Sequence, residues 1–316
     1  MIRDLRRPSY QWRQNAPNIA VNYFWLFSLL VPFCLAVSNV IDNYVLHARL
    51  NDPISYDIIS AWFVIPVAAG VFLVWRVSFS FEAWFVGASI GFAFAFLFVL
   101  YNYAMMKEQG TSVVSLIYTS PLFVAILAFV FLGEELSITN YVGILFLILS
   151  AFLVLYRRID SKNVALGIIL VYAFFSAVAR VASKSALEDV DLWSYFFWFL
   201  VGEIGGTAVL AAIWPRRLAA AVRKVDQRLF LLIAATTALS TLGFILLYSA
   251  FSFGSVVLAS SLSAIQPTVV LLYSAILIRI HPGMVPPERV TGWWAGARKI
   301  GAVILVMLGV LALTGA

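Results

Sequence analysis

Apolar runs of bilayer-crossing length, separated by short polar punctuation, repeat along the whole chain. A helix needs roughly 20 apolar residues to cross about 30 Å of hydrocarbon, and the runs at about 24–46, 57–78, 83–104, 112–132, 138–156, 164–187, 192–214, 228–250, 255–278 and 297–314 meet that length. The connectors carry the expected breakers: Asn51-Asp52-Pro53, Lys107-Glu108-Gln109-Gly110, Arg157-Arg158, Pro215-Arg216-Arg217 and the stretch from His281-Pro282-Gly283 to Pro286-Pro287. The pattern predicts an all-α polytopic membrane protein with ten transmembrane helices.

One hairpin recurs within this pattern. Thr119–Leu155 reads as two apolar helices joined by Gly133-Glu134-Glu135, and the plan returns at Ser263–Pro267 and Lys299–Leu305, with Pro121 matching Pro267 and Gly143 matching Gly301. The correspondence extends to Ala36–Val40 with Ala177–Val181, to Trp62-Phe63 with Trp198-Phe199 (Gly70 then falling on Gly206), and to Leu100–Ala104 with Leu246–Ala250. Five spans per half is an odd number, so the second half enters the membrane upside down relative to the first. The expectation is an inverted repeat of two five-helix units, 24–158 and 159–316, behind a basic N-terminal segment 1–23.

Composition agrees. The 316 residues are 63% hydrophobic and 11% charged, against about 45–50% and 25% in soluble chains. A net charge of +6 would suggest nucleic acid in a soluble protein. Here Lys and Arg fall mostly in connectors as membrane anchors, and no nucleic-acid partner is expected. Most of these basic residues follow odd-numbered spans, which argues for external termini, while the basic N-terminus argues for the reverse. The first apolar run exceeds the 7–15 residues of a signal-peptide core and is expected to be retained. Cys34, the one cysteine, excludes an intrachain disulfide.

Polar residues inside the spans are the candidates for chemistry, because a charge at a helix centre costs about 2.5–3.5 kcal/mol on insertion scales. Asn39, Asp42 and Asn43 share one face of the first helix, and Arg180 and Lys184 share one face of the sixth. Each group sits near the C-terminal end of its helix, so inversion separates Asp42 from Lys184. Glu203, at mid-helix in the seventh span, is expected to pair with Arg180 beside a central cavity, to bind charged cargo or to exchange protons. Helices four and nine add Ser115, Tyr118, Ser261 and Gln266 beside the bend residues Pro121 and Pro267, and Tyr103 and Tyr248 are further pocket candidates. The stripe Phe92, Phe94, Phe96, Phe98 reads as lipid-facing and packing surface. Glu134 and Glu135 read as negative charge at the N-terminus of the fifth helix. His47 and His281 lack metal-ligand spacing, no nucleotide motif is present, and neither cofactor nor enzyme activity is expected.

Pro121-Leu122-Phe123, Leu132-Gly133-Glu134-Glu135-Leu136 with Gly143, and the second-half Pro267 and Gly301 give the chain a resemblance to the drug/metabolite transporter superfamily, specifically a two-domain EamA-type permease. The second half departs from it, having a longer loop at about 279–296 instead of a compact Leu-Gly-Glu turn. The resemblance implies cytoplasmic termini and alternating-access transport of a small polar or amphipathic metabolite, such as an amino acid or drug-like compound. It implies a multi-pass protein of the cell (inner or plasma) membrane, a monomer or homodimer in the lipid bilayer, driven by a gradient of protons or other ions or by that of its cargo. The competing reading is a non-transporting membrane protein, a sensor or assembly factor on the same fold.

Overall fold

The computed structural model describes residues 18–108, 110–117, 119–155, 164–280 and 293–314. Described residues form helices α1 (Asn18–Val45), α2 (Pro53–Val74), α3 (Ala88–Lys107), α4 (Gly110–Ile117), α5 (Ser120–Leu132), α6 (Ile138–Leu155) and α7 (Val164–Asp189). They continue with α8 (Leu192–Ile213), α9 (Pro215–Val222), α10 (Gln227–Phe253), α11 (Val256–Leu262), α12 (Gln266–Ile280) and α13 (Trp293–Thr314). Among the described residues, eight helical stretches are long and apolar enough to cross a membrane, and shorter apolar helices lie at Ile138–Ser150 and Ile300–Leu313.

Helix starts follow local chemistry. Asp52 caps α2, accepting from the amides of Ile54 (3.2 Å) and Ser55 (3.5 Å) ahead of Pro53 in the first turn. The Asn51-Asp52-Pro53 breaker is thus itself a helix start, and α2 begins four residues before the apolar run that predicts it. Asp191 and Asp226 cap α8 and α10 in the same way. Gly133 ends α5 in the left-handed region at φ 66, where a side chain would be strained, and the Glu134 amide returns to the Ala128 carbonyl.

Prolines interrupt two of the crossings. Ile117 ends α4, Thr119 lies in a turn, and α5 restarts at Ser120-Pro121; a 3₁₀ turn at Ser263–Ile265 separates α11 from α12, which opens Gln266-Pro267. Proline has no amide to give the ladder, and its ring excludes the preceding turn.

The helices pack with polar groups inward and apolar groups outward. Leu73 and Ile138 are each 80% exposed and Phe131 is 72% exposed, whereas Asp42, Asp57 and Gln266 are buried. A surface of that kind requires hydrocarbon around it. The pairs α1–α10, α3–α8, α6–α13 and α2–α8 carry much of the packing. At the α3–α8 crossing, glycines let the backbones touch. A Cβ on Gly91 would lie 1.9 Å from the Phe199 carbonyl oxygen, and one on Gly202 would lie 2.1 Å from that of Ala88. At the end of α2, Trp75 stacks on Trp193 at 3.8 Å.

Candidate functional site

A cavity of about 130 Å³ lies between α1, α2, α3, α7, α8 and α10, with Ile117 and Gln266 contributed by the interrupted crossings. That is room for several waters or a small solute. Two kinds of wall meet there, one built from hydroxyls around a carboxyl and one from aromatic rings.

Asp42 is the hub of the first wall. Tyr56 Oη and Thr236 Oγ1 donate to its Oδ1 at 2.5 and 2.6 Å, and Tyr101 Oη and Ser38 Oγ donate to its Oδ2 at 3.2 and 3.4 Å. Tyr101 also donates to Asn39 Oδ1 at 2.7 Å, and the Ser38 and Thr236 hydroxyls are 2.7 Å apart. One carboxyl therefore ties α1 to α2, α3 and α10. A buried carboxyl without a cation beside it is tolerable only when hydroxyls replace its hydration.

Phe94, Phe98, Phe199, Phe244 and Tyr248 make the second wall. Their rings meet in edge and tilted contacts, including Phe94–Phe199 at 5.6 Å, Phe98–Phe244 at 6.0 Å and Phe199–Tyr248 at 5.5 Å. The expected lipid-facing phenylalanine stripe is therefore split. Phe92 and Phe96 are 42% and 38% exposed, while Phe94 and Phe98 face the cavity. Alternation by two residues is not a helical face; the i, i+4, i+7 spacing of Phe94, Phe98 and Tyr101 is.

Three further charged groups line the same space. Asp57 of α2 is 6% exposed, and its Oδ2 has no hydrogen-bond partner. Glu203 of α8 lies within electrostatic reach of Asp57, and Arg180 of α7 has a buried Nη1 without a partner. The expected Arg180–Glu203 ion pair is not formed; Lys184 pairs with Glu188 of its own helix at 3.5 Å. Arg180 instead stands within electrostatic range of Tyr172 and Tyr248.

The cavity thus brings together Asn39, Asp42, Arg180, Glu203, Tyr248 and Gln266 from the sequence-derived set. Other members lie elsewhere. Asn43 donates to the carbonyls of Met105 (2.9 Å) and Glu108 (3.2 Å), binding α1 to the end of α3. Lys184 donates to the Phe251 carbonyl at 3.0 Å, and Ser261 to its own helix at Val257. Ser115 is buried away from the lining, Tyr103 sits beneath the Lys107 ammonium at 5.9 Å, and Tyr118 lies outside the described residues. Asp57, Tyr56, Tyr101 and Thr236 are additions. Asp57 stands at the first residue of its apolar run, where a carboxylate reads as a border marker until the cap at Asp52 moves the helix start.

Glu134 also has a different role from the expected one. It is 5% exposed and caps α11, not α6 that follows it: Ser255 Oγ donates to it at 2.6 Å and the Val256 amide at 3.1 Å. Burial pushes this carboxyl above its ordinary range, against the opposing pull of Ser255, the Val256 amide and nearby Lys184. Glu135 is exposed. Among the described residues no group of three or more His, Cys, Asp or Glu side chains is placed to hold a metal ion.

Among the described residues, an all-helical, multi-pass membrane protein with a cavity of mixed hydroxyl, acidic and aromatic lining is the class that this geometry defines. Residues 21–156 match the model described as "EamA-like transporter family", which supports an EamA-type membrane protein of the drug/metabolite transporter superfamily. No curated protein matches the chain. A solved structure titled "Crystal structure of protein" is similar at 17% identity and a TM-score of 0.68, covering 94% of this chain and 97% of its own. At that identity it speaks for the fold alone, over nearly the whole length.

Proposed function

We propose that this chain is a secondary transporter that carries a small polar or amphipathic metabolite across a cell membrane by alternating access, driven by a gradient. The observation that carries this reading is the cavity itself, where ionisable groups from α1, α2, α7 and α8 converge and Asp57 Oδ2 and Arg180 Nη1 stay unpartnered. Unsatisfied polar groups inside hydrocarbon are costly, and a transiting solute gives them a use. A sensor or assembly factor leaves them without one.

The packing supports ten crossings in two inverted five-helix repeats, 24–158 and 159–316. Exchanging each crossing for its counterpart turns α1–α10 into α7–α3, α5–α7 into α12–α1, and α3–α8 into α10–α2, all of them packed pairs; α2–α8 and α6–α13 map onto themselves. In such repeats the cargo site lies between halves whose interrupted helices rock around it. Pro121 and Pro267 stand at those interruptions.

Flux into proteoliposomes against a metabolite panel tests the reading, with Glu203→Gln as the comparison. Cargo-dependent uptake that falls with Glu203→Gln is the expected outcome. Absence of flux for every compound in both gradient directions overturns it.

A further inference from the structure

Asp42, Asp57, Glu203 and Arg180 are the charged side chains lining the cavity among the described residues, three carboxyls to one guanidinium. Asp42 is satisfied by its four hydroxyls. Asp57 is not: its Oδ2 is buried without a donor, and the group in electrostatic reach of it is another acid, Glu203. Two buried acids on the packed helices α2 and α8 thus stand within electrostatic reach of each other, and among the described residues neither is in an ion pair with a basic side chain. A buried carboxylate needs a cation or a proton.

The neighbouring wall narrows the choice. A hard metal ion demands six or more oxygen ligands, or retained waters. Here the rings of Phe94, Phe199, Phe244 and Tyr248 line the same cavity as the acids. Rings of that kind attract an organic cation through their quadrupole and cover an apolar body. An anion meets two acids for its single guanidinium.

We propose that the Asp57–Glu203 pair with its aromatic wall is the binding site for a small organic cation, a protonated amine bearing an apolar or aromatic body. This rests on the transporter reading, since it names the cargo class of that same cavity. The ammonium sits between the two carboxyls, the body lies along the rings, and Arg180 raises selectivity by repelling doubly charged cations.

Calorimetric titration of the purified full-length chain in detergent tests this with three probes of one framework: phenethylammonium, 2-phenylethanol and phenylacetate. The amine is expected to bind at least about tenfold more tightly than the other two, a difference of about 1.4 kcal/mol. Asp57→Asn and Glu203→Gln are each expected to weaken amine binding about tenfold, and Arg180→Gln to tighten it. A gain of affinity cannot come from misfolding, so the Arg180 variant remains decisive where an acid variant expresses poorly. Phenylacetate or the alcohol binding as well as the amine, amine binding unchanged in both acid variants, or amine binding weakened by Arg180→Gln overturns the proposal. Proteoliposome flux separates it from the transporter reading: uptake of neutral or anionic compounds without amine binding removes only the cation site, whereas amine binding without flux of any compound removes only transport.

Discussion

Thr236 donates a 2.6 Å hydrogen bond to Asp42, a residue 194 positions away in sequence. Helices α1 and α10 are therefore held face to face by a carboxyl that also serves Tyr56 and Tyr101. Thr236→Val keeps the shape and removes the donor. It is expected to destabilise the protein by about 1–3 kcal/mol, as for a buried acceptor left short of a partner, with Thr236→Ser close to wild type. Thermal unfolding in detergent checks the pair.

Gly91 provides a packing test. A methyl group there meets the Phe199 carbonyl at 1.9 Å, and backbone cannot swing aside as a side chain can. Gly91→Ala is expected to cost about 1–3 kcal/mol and to lower folded yield. Gly70→Ala, where no atom lies within 4 Å, is expected to be neutral or slightly stabilising by helix propensity. Equal melting temperatures for the two variants contradict close backbone packing of α3 on α8.

Asp191 couples a cap to pH. Burial favours its neutral form, but the Ser194 hydroxyl and amide and the Ser78 hydroxyl outweigh it and hold the carboxyl below its ordinary value of 3.8. Lowering an acid's pKa on folding contributes stability that is present above the unfolded value and lost as pH falls through the folded one. Asp191→Ala is expected to cost about 0.5–2 kcal/mol near neutrality as a lost cap. The difference from wild type should shrink below about pH 3.8, read by unfolding curves at stepped pH.

Glu134 behaves with the opposite sign. Its carboxyl is raised from 4.5 by burial, so the folded protein holds its proton more tightly than the unfolded chain. Stability from this group is therefore greatest below pH 4.5 and declines as pH rises through the higher folded value. Glu134→Gln keeps an acceptor for Ser255 and loses the charge. Relative to wild type it is expected to gain stability as pH rises from about 4.5 toward neutral, which parallel melting curves measure.

Eight of the described helical stretches were legible because hydrocarbon imposes a length, and that length is written in their apolar runs. The chemistry was less so. Asn39, Asp42, Arg180 and Glu203 stand out as polar groups amid apolar neighbours, and the cavity collects them. Tyr101 and Tyr103 look alike in sequence, yet two residues rotate a helix by about 200°, which puts Tyr101 at Asp42 and Tyr103 beside Lys107. Arg180 and Glu203 are matched by depth along adjacent helices, but depth leaves azimuth free, and Arg180 Nη1 stays unpartnered. Glu134 reads in sequence as belonging to the helix that follows it, because its partner Ser255 is set by tertiary packing alone.

That distant partner has a consequence for biosynthesis. Glu134 must wait for Ser255, which lies 121 residues further along the chain. At translation rates of about 5–20 residues per second, the interval is on the order of 6–24 s. Throughout it, the Glu134 carboxyl lacks the Ser255 hydroxyl and the Val256 amide that it accepts from in the folded protein.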